Sequence, residues 1–141
     1  LFNRTIEGVK ARVGLHICFG NLASRPRFER GYANIFPDIM DVTADELVLE
    51  FANREMRDIE VCSQITEAKD VMIGVVDVKS FYRETPEEVA EKIRTVLENS
   101  PAERVGIVPD CGFFTVPRWL TVRKLESLVG GAKIIRKELA G

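Results

Sequence analysis

The sequence predicts an α/β chain of four βα units, half of a TIM (β/α)8 barrel, and three observations carry that expectation. Four runs rich in β-branched residues are almost continuously apolar, the mark of parallel strands buried on both faces. Helical patterns lie between them at roughly 30 to 35 residues per unit, the spacing of βα repeats. Residues with metal-binding chemistry interrupt the apolar runs at their C-terminal ends, where a parallel α/β barrel keeps its active site. Periodicity leaves a small doubly wound parallel sheet as the alternative.

The opening "TIEGVKARVG" reads as a helix with no strand before it, so the chain is expected to begin inside a βα unit. The first strand is "RVGLHIC", Arg12 to Cys18, and the second is "ELVLEF", Glu46 to Phe51. Weaker helical patterns lie around Pro37 to Met40 and over Glu55 to Ala68. The third strand, "DVMIGVVDV", spans Asp70 to Val78. The clearest helix follows in "TPEEVAEKIRTVLEN": Thr85 is an N-cap, Pro86 takes the first helical position and Glu88 completes a capping box. Val89, Ile93, Val96 and Leu97 form its apolar stripe. The fourth strand is "RVGIVPDC", Arg104 to Cys111. A last helix is expected from Val122 to Leu128, ended by Gly130 and Gly131, before a basic "KIIRKEL".

No linker or low-complexity stretch divides the 141 residues, so one domain is expected. Four units fall short of the eight, and about 250 residues, of a whole barrel. Leu1 stands where an initiator methionine is absent, and the expectation is a barrel domain over 1–141 truncated at its N-terminus. A formal net charge of −2 with mixed signs argues against a nucleic-acid partner. No apolar stretch reaches membrane-spanning length and no signal peptide opens the chain, so no membrane partner is expected. Three scattered cysteines argue against a disulfide framework and for a reducing, cytoplasmic compartment.

His16 and Cys18 close the first strand, Glu50 the second, Asp77 the third, and Asp110 and Cys111 the fourth. Residues i and i+2 of a strand share a face, so the only histidine of the chain and Cys18 are able to share one ion. Glu50 and Cys111, arriving from other strands, complete four ligands. One imidazole, two thiolates and a carboxylate suit tetrahedral zinc. Each residue alone has a plainer reading: a hydrogen-bonded histidine, inert buried cysteines, a paired carboxylate, an Asp110 capping the next turn. Cys62, inside a helical pattern, is read that way.

With those residues in hand, the sequence resembles the cobalamin-independent methionine synthase family, in the last four βα units of its catalytic barrel. The resemblance lies in "LHICFGN", "LVLEFANRE", "IGVVDVKS", "ETPEEVAEKIR" and "PAERVGIVPDCGF", in order and over most of the chain. It implies zinc held by His16, Cys18, Glu50 and Cys111, and methyl transfer from a methyl-folate donor to the thiol of homocysteine. The implied logic is that coordination keeps the thiol deprotonated and therefore nucleophilic, with Glu50 as the ligand that yields to it. The family usually reads D-I-H-S after the third of these strands, with the His as proton donor. Here "DVKS" puts Lys79 at that place, able to donate a proton or to pair with Asp77.

"CFGN" and "LEFAN" also resemble zinc enzymes that alkylate other small thiols, of the epoxyalkane–coenzyme M type. A non-catalytic barrel fragment is the third reading. Half a barrel leaves two raw sheet edges, so a partner is expected, either the missing half or a second copy. No Gly-rich phosphate loop follows any strand, which argues against a nucleotide-binding domain.

Overall fold

The computed structural model of the chain describes residues 1–21, 25 and 30–141. Four strands form one sheet: β1 (Gly14–Ile17), β2 (Glu46–Leu49), β3 (Asp70–Val76) and β4 (Val105–Pro109). All neighbours are parallel and the spatial order is β1-β2-β3-β4. Each crossover therefore steps the same way. A doubly wound sheet would reverse direction at a switch point, so this order selects the barrel arc over that alternative.

The helices are α1 (Phe2–Thr5), α2 (Val61–Thr66), α3 (Pro86–Leu97) and α4 (Arg118–Ala140). Leu47, Leu49, Val71, Ile73, Val75 and Val76 are fully buried in the core with Val89, Ala90 and Val96 of α3. Burial alternates along β1 and β2, however, rather than being continuous. Gly14 and His16 are exposed, and Glu46 and Val48 are half-buried. In an arc of four strands these residues have no facing strand across a barrel lumen, so one face stays open there.

The capping box on α3 is present: Thr85 Oγ1 accepts from the Glu88 amide and Glu88 Oε2 accepts from the Thr85 amide. Four expected helices differ. The first covers only Phe2–Thr5, and Gly8 adopts a left-handed φ of 81° within the segment read as helical. Of Glu55–Ala68 only Val61–Thr66 is α-helical, because Glu55, Met56 and Asp58 take left-handed φ of 54°, 58° and 62°. Around Pro37–Met40 the chain forms a short 3-10 turn, Asp38–Asp41.

The last helix does not stop at Gly130; it continues through both glycines to Ala140. Packing explains why. A Cβ on Gly131 would lie 2.5 Å from Val89 Cγ1, and one on Gly130 would lie 2.9 Å from Pro86. The glycines let α4 approach α3 closely, and tertiary contact outweighs their poor helix propensity. No helix among the described residues is long and apolar enough to cross a membrane.

Candidate metal centre

The strand ends converge on one polar cluster. His16 belongs to β1 and Cys18 directly follows it; Glu50 directly follows β2; Cys111 lies just past β4. One ligand atom from each lies within 4.8 Å of all the others. Cys18 Sγ and Cys111 Sγ are 3.5 Å apart, too far for a disulfide. Two sulfurs at ~2.3 Å from a tetrahedral zinc sit roughly 3.8 Å apart, so the spacing fits such an ion. His16 Nδ1 is 3.1 Å from the Val48 carbonyl, which only accepts, so Nδ1 carries the proton and Nε2 keeps the free lone pair.

With no cation beside it, the Cys18 thiol stays neutral. Burial, and then the hydrogen bond to Glu50, push the Cys18 thiol up to about 12. It keeps its proton and donates it to Glu50 Oε1 at 3.0 Å. The Gly20 amide donates to Cys18 Sγ at 3.3 Å, from a backbone at φ 100° that glycine adopts freely. Asn21 Nδ2 donates to the Gly112 carbonyl at 2.6 Å, tying the loop after β1 to the loop after β4.

Glu50 is fully buried and its two oxygens face different ways. Oε1 meets Cys18, whereas Oε2 accepts from Lys79 Nζ at 2.6 Å and from Asn53 Nδ2 at 3.2 Å. The Lys79 ammonium thus goes to Glu50, not to Asp77. Asp77 Oδ1 instead accepts from the Lys79 amide at 2.7 Å, a local turn that aims the lysine at Glu50. An aspartate side chain reaches the amide two residues on more readily than the end of a long side chain, and the lysine stem extends instead to the carboxylate that follows β2.

Asp110 caps a turn, though not the one that follows it. Its carboxylate accepts from the amides of Phe51, Ala52 and Asn53 at 2.9, 2.9 and 2.7 Å, and from Asn53 Nδ2 at 2.6 Å. Burial pushes the carboxyl up against these four donors, which favour the ionised form. The cradle exists because β3 has Gly74 there: a Cβ would fall 2.1 Å from Asp110 Oδ1. The Glu50 carbonyl accepts from the buried Tyr32 hydroxyl at 2.9 Å. Arg54 stacks between the rings of Phe19 and Tyr32, at 5.1 and 4.8 Å from their centroids, and pairs with Asp58.

Sequence reasoning missed Asn53, Gly74, Tyr32 and a second buried pair. Lys124 of α4, fully buried, donates to Glu84 Oε2 at 2.7 Å and to the Asp77 carbonyl at 2.9 Å. Glu84 Oε1 accepts from the Asp77 amide at 2.8 Å, so the pair fixes both ends of Asp77. Cys62 lies in α2, fully buried, its thiol pushed up to about 12 by that burial.

An arc of parallel strands with imidazole, thiol and carboxyl groups gathered at its C-terminal ends describes an α/β protein with a site able to hold a metal ion. Residues 2–134 match the family "Cobalamin-independent synthase, Catalytic domain", and the chain belongs to it. A methionine synthase from Thermococcus kodakarensis is 38% identical over 138 residues, covering 98% of this chain and 38% of the relative. A 2-hydroxypropyl-CoM lyase from Xanthobacter autotrophicus is 32% identical, covering 99% of this chain and 45% of the relative. A solved B12-independent methionine synthase from Shewanella, in complex with selenomethionine, superimposes with a TM-score of 0.85 at 32% identity. That comparison covers 98% of this chain and 42% of the other. The chain thus spans less than half the length of each of these relatives.

Proposed function

We propose that residues 1–141 form the zinc-binding part of a barrel that transfers a methyl group from a methyl-folate donor to the thiol of homocysteine, giving methionine. The observation that carries this reading is the convergence of His16, Cys18, Glu50 and Cys111, with ligand atoms within 4.8 Å, in a chain of this family. His16, Cys18, Glu50 and Cys111 are the ligands in this reading. A bound zinc would supply Lewis acidity that holds the substrate thiol as its nucleophilic thiolate at neutral pH.

The chain's own residues set the conditions for that chemistry. The Val48 carbonyl orients the His16 ring, and Asp110 holds the backbone that presents Glu50. With an ion bound, Glu50 would be the ligand able to yield to substrate, since a carboxylate leaves more readily than a thiolate. Lys79 is the nearest ammonium, and Asp77 sets its direction. Both serve the reaction by controlling charge beside the ligands. Four strands leave the β1 and β4 edges without partners among the described residues, and closing the barrel takes four more. Those strands come from the remaining barrel half or, failing that, from a second copy.

The lyase relative supports a second reading in which the thiol is coenzyme M. Zinc content of the reduced chain, followed by methyl-transfer assays with the remaining barrel half supplied, tests the first reading. Turnover with homocysteine supports it; turnover with coenzyme M alone supports the second. No turnover with either thiol, despite bound zinc, leaves a non-catalytic fragment.

A further inference from the structure

We infer that Lys79 is the resting place for the displaced Glu50 carboxylate, so that the ligand leaves without becoming an unpaired buried charge. The inference rests on the metal-site reading above and goes beyond it.

Glu50 is 0% exposed and the Lys79 side chain is 5% exposed, so neither finds water as an alternative partner. A carboxylate that gives up a cation in such a place needs a second cation, because an isolated buried charge is very costly. Oε1 points toward the sulfur of Cys18 while Oε2 already holds Lys79 Nζ at 2.6 Å. The two oxygens thus face the ligand cluster and the lysine at the same time. The lysine contact is thus already made while the other oxygen faces the ligands, so leaving them does not require Glu50 to find a new cation.

Charge counting agrees. A dication with two thiolates, a neutral imidazole and Glu50 sums to −1, and Lys79 brings the buried group to zero. When a substrate thiol enters as thiolate, its proton goes to solvent and Glu50 keeps its negative charge on Lys79. The Lys79–Glu50 pair stays neutral before and after the exchange, and the added negative charge of the incoming thiolate would rest on the ion and its sulfur ligands. Asn53 Nδ2, itself anchored on Asp110, donates to the same Glu50 oxygen that holds Lys79. The Lys79 ammonium is aimed by Asp77, which Lys124 and Glu84 hold by its carbonyl and its amide. Lys79 is accordingly a positioning residue.

The test uses the full chain loaded with Co2+, whose visible spectrum reports the number of sulfur ligands, and 2-mercaptoethanol as the probe thiol. Lys79→Met removes the charge and keeps the length, while Lys79→Arg keeps the charge. Without thiol, Lys79→Met should bind Co2+ about threefold or more tightly, because a cation beside the ligands is gone. With thiol, it should need roughly ten- to a hundredfold more 2-mercaptoethanol for the half-maximal spectral change, since Glu50 then has nowhere to go. Lys79→Arg should restore both values to near wild type. Tighter metal with weaker thiol is a signature that general unfolding does not give, because a loosened fold weakens both. Metal and thiol affinities unchanged in Lys79→Met, with the metal still lost in Cys111→Ser, would overturn the role of Lys79 and leave the metal-site reading standing. A wild-type chain that takes up no metal, or no thiol once loaded, overturns the inference together with that reading.

Discussion

Two buried lysine–glutamate pairs hang from the same loop, and they differ in one respect that separates scaffold from site. Lys124–Glu84 is closed on itself. Both Glu84 oxygens are taken, by Lys124 and by the Asp77 amide, and Lys124 also meets the Asp77 carbonyl. Lys79–Glu50 is open: one Glu50 oxygen is held by the lysine, while the other faces a thiol in the ligand cluster. A pair saturated by an ammonium and a backbone amide locks a loop, whereas a pair whose second oxygen holds only a ligand thiol is able to exchange that partner. The first should therefore matter mainly to stability and the second mainly to what the site binds.

Breaking the closed pair gives the largest expected stability effect. Lys124→Met leaves Glu84 buried without its cation and should cost about 3–5 kcal/mol, read as a lower urea midpoint. Adding Glu84→Leu should recover a large part of that loss, because a buried pair replaced by apolar groups is often near neutral. Failure of the double variant to recover would make the pair a specific polar brace of Asp77 rather than a mutual compensation.

Two glycines sharpen the same contrast. Gly74→Ala places a methyl 2.1 Å from Asp110 Oδ1, and Gly131→Ala places one 2.5 Å from Val89 Cγ1. Each should cost about 1–3 kcal/mol by overpacking, with helix propensity offsetting part of the cost at Gly131. Only Gly74→Ala should also weaken metal binding, since Asp110 holds the amides next to Glu50. Equal loss of metal in both variants would erase the division between site and scaffold.

Thr85→Ala removes the α3 cap and should cost about 1 kcal/mol in denaturant, without altering metal binding. The smallest effect lies in the exposed partner of that cap. The Tyr82 hydroxyl first, and then the Thr85 amide, hold the Glu88 carboxyl below its usual value. A lowered folded value means that its contribution is present above the unfolded carboxyl range and is lost as pH falls through the folded one. Glu88→Gln should flatten that acid part of the stability–pH curve.

Much of the arc was legible because parallel strands under helices leave a plain apolar signature, with polar residues where a strand ends. That His16, Cys18, Glu50 and Cys111 come together follows from that rule and from strand order. The cap at Thr85 was legible because its partners are local. What was hidden depends on distant contacts. Nothing in the sequence around Lys124 marks it as buried; its partners, Glu84 and the Asp77 carbonyl, come from a loop 40 and 47 positions away. Gly130 and Gly131 read as a helix end until α3 is seen against them. Asp77 lies two residues from Lys79 in sequence, yet the lysine reaches a carboxylate 29 positions away. The left-handed residues after Arg54 follow a turn pinned by an aspartate from β4's end, a constraint invisible in "FANREMRD" itself.

The most direct measurement is the zinc content of the reduced, purified chain beside a Cys111→Ser variant verified as folded. The account predicts about one zinc per chain, as four ligands around one ion require, and its loss in the variant. A well-folded wild-type chain without zinc, or a Cys111→Ser chain that keeps it, would contradict the assignment of these four residues as one metal site.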